Sequence, residues 1–596
     1  MEQIKRQRCD SFDDNKRRKT EDCPITRFED FANEILYEIF DYLDSYHAYK
    51  GFSSLNYRFQ SFLIKSTLPL RINIPLMSSS TFHRYNNHII QRNLQRTHSI
   101  HISNHFMYDI QTLPLVQMTF LQRLVVENIE SKCLENLLNQ LTLLSHLSSL
   151  SITTIDTVTH QTPIYQQIFR LSSLRYCKLL LRNQNYHWYS VSSLHLNEQS
   201  SIEYLIIDYE IKYRQLKDLL SCVPRLRHFS FQIRPDFESL SSNVPCHVPD
   251  SLTYLSLKSN CRLAFEELER TLVNHFPLVE VLRISVSIKT LDANKWKQLI
   301  STHLLKLRIF DVRLEVYSSS EVENAAYEEQ VIEFQSSFWI ERQWFFRSEL
   351  IRKRHLKSYI LYSTNLYRKK DYLLYKQSYE ENFTDENRTM FSSVDHVQIE
   401  DEKAVHQCMC YFPNATKVTL EDRFSTAGYA KFSIVFNRIL SLQRIKTLVI
   451  KYDRFSVMKM INLLTCIPNL QTLAFQSMSL YKKESKSIEQ SKKFQSLSKI
   501  NRITNVSFEE RSTLDKIELL VKLFPRIQYF EMNVFMRHME AILQLLLLKQ
   551  NMPNLPLICF TSADEAHFRH LTDLIRSNML SSDYKVAYAE RRLYLW

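Results

Sequence analysis

The feature that most limits how this chain can fold is a short apolar pattern that returns at a nearly fixed interval. The form apolar-x-x-apolar-x-apolar begins at Leu121 (with Leu124, Val126), Leu147 (Leu150, Ile152), Leu174 (Cys177, Leu179) and Ile202 (Leu205, Ile207). It continues at Leu226 (Phe229, Phe231), Leu252 (Leu255, Leu257), Val279 (Leu282, Ile284) and Leu307 (Phe310, Val312), in steps of 24 to 28 residues. Five copies carry a proline ahead of the pattern: Pro224–Phe231, Pro277–Ile284, Pro413–Leu420, Pro468–Phe475 and Pro525–Met532. The last two apolar positions alternate, as a strand with one buried face demands, and the first anchors the turn leading into it. Between copies lie runs that read as helices, such as Gln215–Cys222, Phe265–His275, Trp296–Leu305 and Ser456–Cys466. One strand and one helix cannot bury their apolar faces alone, so successive units must stack. A chain of 596 residues is in any case too long for one ordinary core.

The repeat resembles leucine-rich repeats, which implies an α/β strand/helix solenoid curved as a horseshoe. No asparagine or cysteine follows the strands regularly, so no ladder of asparagine side chains is expected. An irregular horseshoe with some strands poorly aligned is expected instead. The rhythm lapses after Leu307 and returns near Val394 (Val397, Ile399), then at Ile445, Leu470, Ile503, Ile527 and Leu555. This divides the repeat region into 69–312, an aromatic-rich insertion at 313–393, and 394–596. The insertion holds Phe334, Phe338, Trp339, Trp344, Phe345 and Phe346, then Arg352-Lys353-Arg354 and a tyrosine-rich stretch through Tyr379. Tryptophan and arginine are favoured at interaction centres, which makes Trp339, Trp344, Arg352 and Arg354 candidate substrate-binding residues. The other reading is an extra helix and strand packed against the repeats, with the aromatics as core.

Composition excludes several chemistries. Only Gly51 and Gly428 are glycines, so neither a dinucleotide fingerprint, nor a P-loop, nor a Gly-x-Ser-x-Gly elbow can be written. His406-x-Cys408-x-Cys410 lacks a second Cys/His pair at zinc spacing and reads as free thiols. His98, His101 and His105 lie close together without acidic ligands, and the pairs Glu266-Glu267 and Glu509-Glu510 read as solvated charge. No catalytic residue, cofactor or metal is expected, and the chain reads as a non-enzyme. Eleven scattered cysteines without a secretory signal point to a reducing, intracellular setting, nucleus or cytoplasm. The most apolar stretch, Ala541–Leu548 with only Gln544 interrupting it, is too short to span a bilayer, so no membrane partner is expected. A net charge of +12 suits a mildly basic soluble protein. A nucleic-acid-binding groove is the less favoured reading of that charge.

Residues 1–24 read as a disordered basic tail, in which Lys5, Arg6, Lys16, Arg17, Arg18 and Lys19 form a candidate bipartite nuclear import signal. From Phe28 the pattern turns helical: Asn33 suits a cap, and Ile35, Leu36, Ile39, Phe40 and Leu43 follow at helical spacing. Phe52, Leu55, Phe59, Phe62 and Leu63 suggest a second helix. The segment Phe31-Ala-Asn-Glu-Ile-Leu-Tyr-Glu-Ile-Phe-Asp-Tyr-Leu43 resembles the F-box core, Leu-Pro-x-Glu-Ile-Leu followed by Ile-Phe-x-Tyr-Leu. Phe52-Ser-Ser-Leu-Asn-Tyr-Arg-Phe59 is similar to that family's later apolar and Arg-aromatic segment. Ala32 stands where the pattern has proline, and His47-Ala48-Tyr49 where it has Asp-Leu-Leu. The resemblance covers about residues 28–66 and implies a short all-helical F-box, placed at 25–68, ahead of the repeats. It implies a substrate-recognition subunit of an SCF-type cullin–RING ubiquitin ligase, docking to a Skp adaptor and through it a cullin. Phe31, Ile35, Leu36, Ile39, Phe40 and Leu43 would then supply the adaptor-binding surface, and the repeats would hold a protein substrate. The alternatives are a helical cap closing a plain interaction scaffold and, less favoured, a nucleic-acid binder.

Overall fold

The computed structural model describes residues 28–41, 43, 45–65, 69–74, 79–103, 113–158, 161–182, 199–234, 249–318, 321–353, 356–363, 371–374, 389–401, 404–405, 408, 410–423, 432–452, 455–480, 482–547, 557–577, 585–589 and 591–596. They form two compact units that divide between residues 66 and 67. The nuclear-import candidates Lys5, Arg6, Lys16, Arg17, Arg18 and Lys19 lie outside the described residues, as do His105, His406 and Leu555.

Among its described residues the first unit holds a 3-10 turn (Phe28–Asp30) and three α-helices, α1 (Asn33–Asp41), α2 (Ser45–Phe52) and α3 (Tyr57–Lys65). Leu36 and Phe59 are fully buried, with Phe28, Phe31, Phe40 and Phe52 packed around them. The rings meet at centroid distances of 5.1 to 6.4 Å. The second apolar set is split: α2 ends at Phe52, Leu55 lies in the turn, and Asn56 caps α3 by accepting from Phe59 N at 3.1 Å. Asn33 does not cap α1. Its Oδ1 accepts from the Arg58 guanidinium (Nε at 3.1 Å), which also donates to Phe31 O at 2.7 Å. Arg58 thereby ties the third helix to the start of the first.

The second unit is mixed α/β with two large, mainly parallel sheets. The first sheet comprises β1 (Leu70–Ile74), β2 (Thr97–Ile102), β3 (Arg123–Ile129), β4 (Ser149–Thr157), β5 (Tyr176–Arg182), β6 (Tyr204–Lys212), β7 (His228–Arg234), β8 (Tyr254–Leu263), β9 (Val281–Ile288), β10 (Ile309–Ser318), β11 (Phe346–Lys353) and β12 (Leu356–Ser363). The order β1 to β10 is sequential and parallel, and the β11/β12 hairpin is added antiparallel through β12. The second sheet takes β13 (Asp371–Leu374), β15 (His396–Asp401), β17 (Lys417–Arg423), β18 (Thr447–Ile450), β20 (Thr472–Phe475), β22 (Asn505–Ser512), β23 (Tyr529–Val534), β24 (Leu557–Phe560), β25 (Val586–Ala589) and β26 (Arg592–Leu595). Two short pairs stand beside it, β14 (Thr389–Met390) with β16 (Cys410–Tyr411) and β19 (Phe455–Ser456) with β21 (Met478–Ser479). The second sheet likewise closes on an antiparallel hairpin, β25/β26. Turning the last strands round in each sheet ends parallel growth at a short edge.

The apolar pattern sets the register. Its middle position aligns across the first sheet as Leu124, Leu150, Cys177, Leu205, Phe229, Leu255, Leu282 and Phe310. Every one of these is buried, facing helices such as Ser131–Leu141, which buries Leu134, Leu137, Leu138 and Leu141 at helical spacing. The second sheet repeats this with Val397, Val418, Leu448, Leu473, Val506, Phe530 and Ile558. The expected irregularity sits outside the apolar pair: register holds at the pair and slips ahead of it between Leu70 and Arg71, and beyond it after Val126, Thr153, Ile207 and Lys258.

In place of an asparagine ladder there is a backbone one. From β3 on, the carbonyl just before a strand accepts from two successive amides of the next unit: Gln122 O from Ser148 and Ser149, Ser148 O from Arg175 and Tyr176, Arg175 O from Glu203 and Tyr204. The series runs on through Glu203, Arg227, Thr253 and Glu280, and recurs in the second sheet at Asp395, Thr416, Lys446, Gln471 and Thr504. The main chain satisfies these groups without an asparagine, and at Gln122 O and Gln471 O the hydroxyls of Ser148 and Thr504 add a second donor at 3.2 and 3.4 Å.

The insertion differs most from its expected boundaries. β10 runs through the expected break at 312, and β13 joins the second sheet well before 394. The intervening helices Glu321–Glu333 and Ser337–Glu341 and the β11/β12 hairpin close the first sheet. Tight turns use left-handed Gln343, Ser562 and Arg591, and Asn128 takes the same conformation where the register of β3 shifts, all at φ between 56° and 61° in a chain with two glycines.

Candidate functional site

The insertion's tryptophans are core, a correction to their candidate role. Trp339 and Trp344 are 1% and 6% exposed, packed with Phe310, Phe334 and Phe346 at ring distances of 4.9 to 6.2 Å. Trp344 Nε1 donates to Arg308 O at 3.3 Å, so even its polar edge is taken inside the fold. Neither presents a face to a substrate. Arg352 lies on β11, and Arg354 falls outside the described residues.

The six F-box candidates divide by helix face. Leu36 is fully buried, and Phe31 and Phe40 pack against the same small core. Leu36 and Phe40 are four apart and so share one face of α1. Ile35, Ile39 and Leu43 form the other stripe, where Ile35 is 44% and Leu43 36% exposed. Leu55 and Tyr57 add exposures of 52% and 72% from the turn before α3. A unit this small spends its inward residues on cohesion and leaves Ile35, Leu43, Leu55 and Tyr57 to solvent.

A second surface went unread in the sequence. On the side of the first sheet away from its helices, here called the open face, the residues just ahead of the buried pairs form a row. In register they are Arg123, Ser149, Tyr176, Tyr204, His228, Tyr254 and Val281. Four of them stack in line. Tyr176 meets Tyr204 at 6.5 Å, Tyr204 meets His228 at 5.6 Å, and His228 meets Tyr254 at 3.7 Å with the planes 10° apart. Arg283, one open-face position beyond Val281 on β9, reaches back with its guanidinium 5.3 Å from the Tyr254 centroid. Burial among these rings, and then Arg283, hold His228 at about pKa 4, so the imidazole is neutral at physiological pH. Along the adjoining edge Glu203 is shared by Arg175 and Arg227, each at 3.8 Å. Strand alternation alone would have located this row; its ring content is the signal that the repeat search, tuned to buried positions, passed over.

The open face of the second sheet is of another kind. His396 Nε2 and Thr419 Oγ1 lie 2.8 Å apart, and Glu421 pairs with Lys451 at 3.1 Å. Near the last strands Glu531 accepts from Ser507 at 3.1 Å and pairs with Arg592 at 3.0 Å. There the face is covered: Leu557, Cys559, Ala587, Tyr594 and Trp596 are buried together with Ile155 of β4. Burial first, then Glu531, push the Cys559 thiol up to about 12.

Among the described residues no group of histidine, cysteine and carboxylate side chains could hold a metal, and no helix is long and apolar enough to cross a membrane. Cys408 is buried, and its thiol is raised by its hydrogen bond with Cys410 and then by burial. His275 is buried with neither ring nitrogen hydrogen-bonded, and burial, then Lys217, lower it to about 4. No protein-family model matches the chain, and no curated protein matches it.

Proposed function

We propose that the chain is the substrate-recognition subunit of an SCF-type cullin–RING ubiquitin ligase. In this reading the three-helix unit is an F-box that docks to a Skp adaptor, and the strand–helix units are a leucine-rich-repeat-like solenoid that holds a protein substrate. The observation that carries it is the division of apolar residues on α1 to α3. Leu36 and Phe59 form the internal contact, while Ile35 and Leu43 stay exposed in the segment that resembles the F-box core, and Leu55 and Tyr57 in the later segment similar to that family. Exposed apolar residues gathered on so small a unit mark a docking surface. Ubiquitin transfer would be performed by other subunits, with this chain supplying proximity and orientation.

The division also selects the mutation. Leu36→Asp would place a charge in the unit's own core and unfold it, which says nothing about docking. Ile35→Asp changes an exposed position and should leave the thermal midpoint within a degree or so. Affinity purification of the tagged full chain from cell extract should recover a Skp adaptor, and Ile35→Asp should lose it. Failure to recover any adaptor with the folded chain would sink the reading. So would equal recovery with Ile35→Asp and with the double variant Ile35→Asp, Leu43→Asp.

A further inference from the structure

Strand register leaves a gap at one end of the aromatic row. Tyr176 has Tyr204 on one side and Ser149 on the other, and the next strand places Arg123 in the same row. Arg123 is exposed, while Ser149 is half-buried and carries only a hydroxymethyl group. Adjacent strands lie about 4.8 Å apart, so Arg123 and Tyr176 stand roughly 10 Å apart with a small residue between them. That is room for one flat group, held by a tyrosine face on one side and a guanidinium on the other.

The surroundings specify what accompanies the flat group. Arg123, Arg175, Lys178 and Arg227 lie on or beside the row near the gap, against Glu203 and Asp208. Glu203 is already shared by two arginines, and Asp208 accepts from Gln232 Nε2 at 2.6 Å. Farther along β3, Glu127 lies 3.3 Å from His101. The guanidiniums of Arg175 and Arg227 keep 72% and 64% of their side-chain surface in water. The local balance is cationic and reachable. The covered patch on β4 centres on Ile155, six residues or roughly 20 Å along the strand from Ser149, so the gap is outside it. The rings from Tyr204 to Tyr254 already stack on one another, which leaves one slot rather than a platform for successive bases.

We infer that the gap over Ser149 receives an aromatic side chain from an acidic segment of the partner protein. The ring lies between Tyr176 and Arg123, and the flanking carboxylates meet Arg175, Lys178 and Arg227. The inference rests on the recognition-subunit reading for the partner's being a substrate, and it adds the chemical class of the bound segment.

Fluorescence anisotropy with the full chain tests it. The probe is a labelled dodecapeptide of glutamate and serine around one central phenylalanine. The comparison probes replace phenylalanine by alanine, or every glutamate by lysine, and a fourth is an oligothymidylate of equal length. The acidic phenylalanine peptide should bind tightest, and the alanine version roughly tenfold more weakly. Arg123→Ala should cost the phenylalanine peptide a similar factor. Ser149→Trp fills the slot and should erase the difference between the phenylalanine and alanine peptides, with an unchanged thermal midpoint as the folding control. Equal binding of the lysine peptide, tighter binding of the oligothymidylate, or indifference to both Arg123→Ala and Ser149→Trp would overturn the inference. Ile35→Asp separates the two proposals: it should lose the adaptor and keep the peptide. Recovery of the adaptor without peptide binding would remove this inference and leave the recognition reading standing.

Discussion

The two sheets of the second unit are built by one rule and finished by two. In both, an apolar pair faces the helices in continuous register, and through most of each sheet one carbonyl before a strand accepts from two amides of the next. That half is dictated by packing. The open faces both carry polar pairs, such as Asp208 with Gln232 and Glu421 with Lys451, and differ in their rings and in what covers them. The first carries a row of stacked rings ending on Arg283, with Tyr204 44% exposed. The second carries hydrogen-bonded polar pairs, and at its last strands Cys559, Tyr594 and Trp596 are buried against Ile155. A strand has two faces and stacking needs only one, so the other is free either to meet a partner or to become core.

The strongest way to break this comparison is to truncate one ring from each face. Tyr594 is 2% exposed, so Tyr594→Ala should remove about 3 kcal/mol of stability through the cavity it leaves. Tyr204→Ala sits on a face open to water and should cost less than about 1 kcal/mol, chiefly lost cross-strand contact. Urea midpoints of the two variants decide it. Equal losses would mean that the rings of the first sheet are as buried as the C-terminal cluster and that the two faces do not differ in kind.

How much of this was legible follows from which face a residue serves. The buried triads announced themselves because packing repeats them at a fixed interval. β2 escaped because its first position is Thr97, fully buried yet polar, with its hydroxyl donating to Asn93 O at 2.8 Å. β1 escaped because an exposed Pro69 holds that position ahead of Ile72 and Ile74. In α1 the sequence displays two apolar stripes, Leu36/Phe40 and Ile35/Ile39/Leu43, and helical spacing cannot say which turns inward. Trp339 and Trp344 look alike as core or as interface because both uses favour aromatic surface. Their burial depends on Phe310, which β10 brings alongside from far away in the sequence.

Acidification sharpens the comparison next. His228 on the open face of the first sheet and His275 on the helix Phe265–His275 are both lowered from 6.5 to about 4, by burial and then by Arg283 and Lys217 respectively. A depressed histidine favours the neutral form in the folded state, so the unfolded chain takes up the proton first as pH falls. Their contribution is complete above about 6.5 and is lost progressively between 6.5 and 4. Urea midpoints should therefore fall across that window. His228→Phe keeps a ring in the row and removes one titration, which should flatten the fall. An unchanged pH profile in His228→Phe together with His275→Phe would show that these rings are solvated when folded.

Ion pairs separate the two faces once more, and an exposed one should give the smallest effect of all. Glu531 keeps only 14% of its side chain exposed and faces Arg592 at 3.0 Å, so Arg592→Ala strands a half-desolvated carboxylate. A loss on the order of 1–2 kcal/mol is expected, below the range for fully buried pairs because Arg592 itself is 41% exposed. Arg227→Ala leaves Glu203 still paired with Arg175 at 3.8 Å on an edge where both guanidiniums are largely in water. Screening and side-chain entropy consume most of such an interaction, so less than about 0.5 kcal/mol should be lost, and less still at high salt. A loss at Arg227 as large as that at Arg592, persisting at high salt, would mean that the Arg175–Glu203–Arg227 edge is structural. Those arginines would then not be free to meet the carboxylates of a partner, and the first sheet would resemble the second after all.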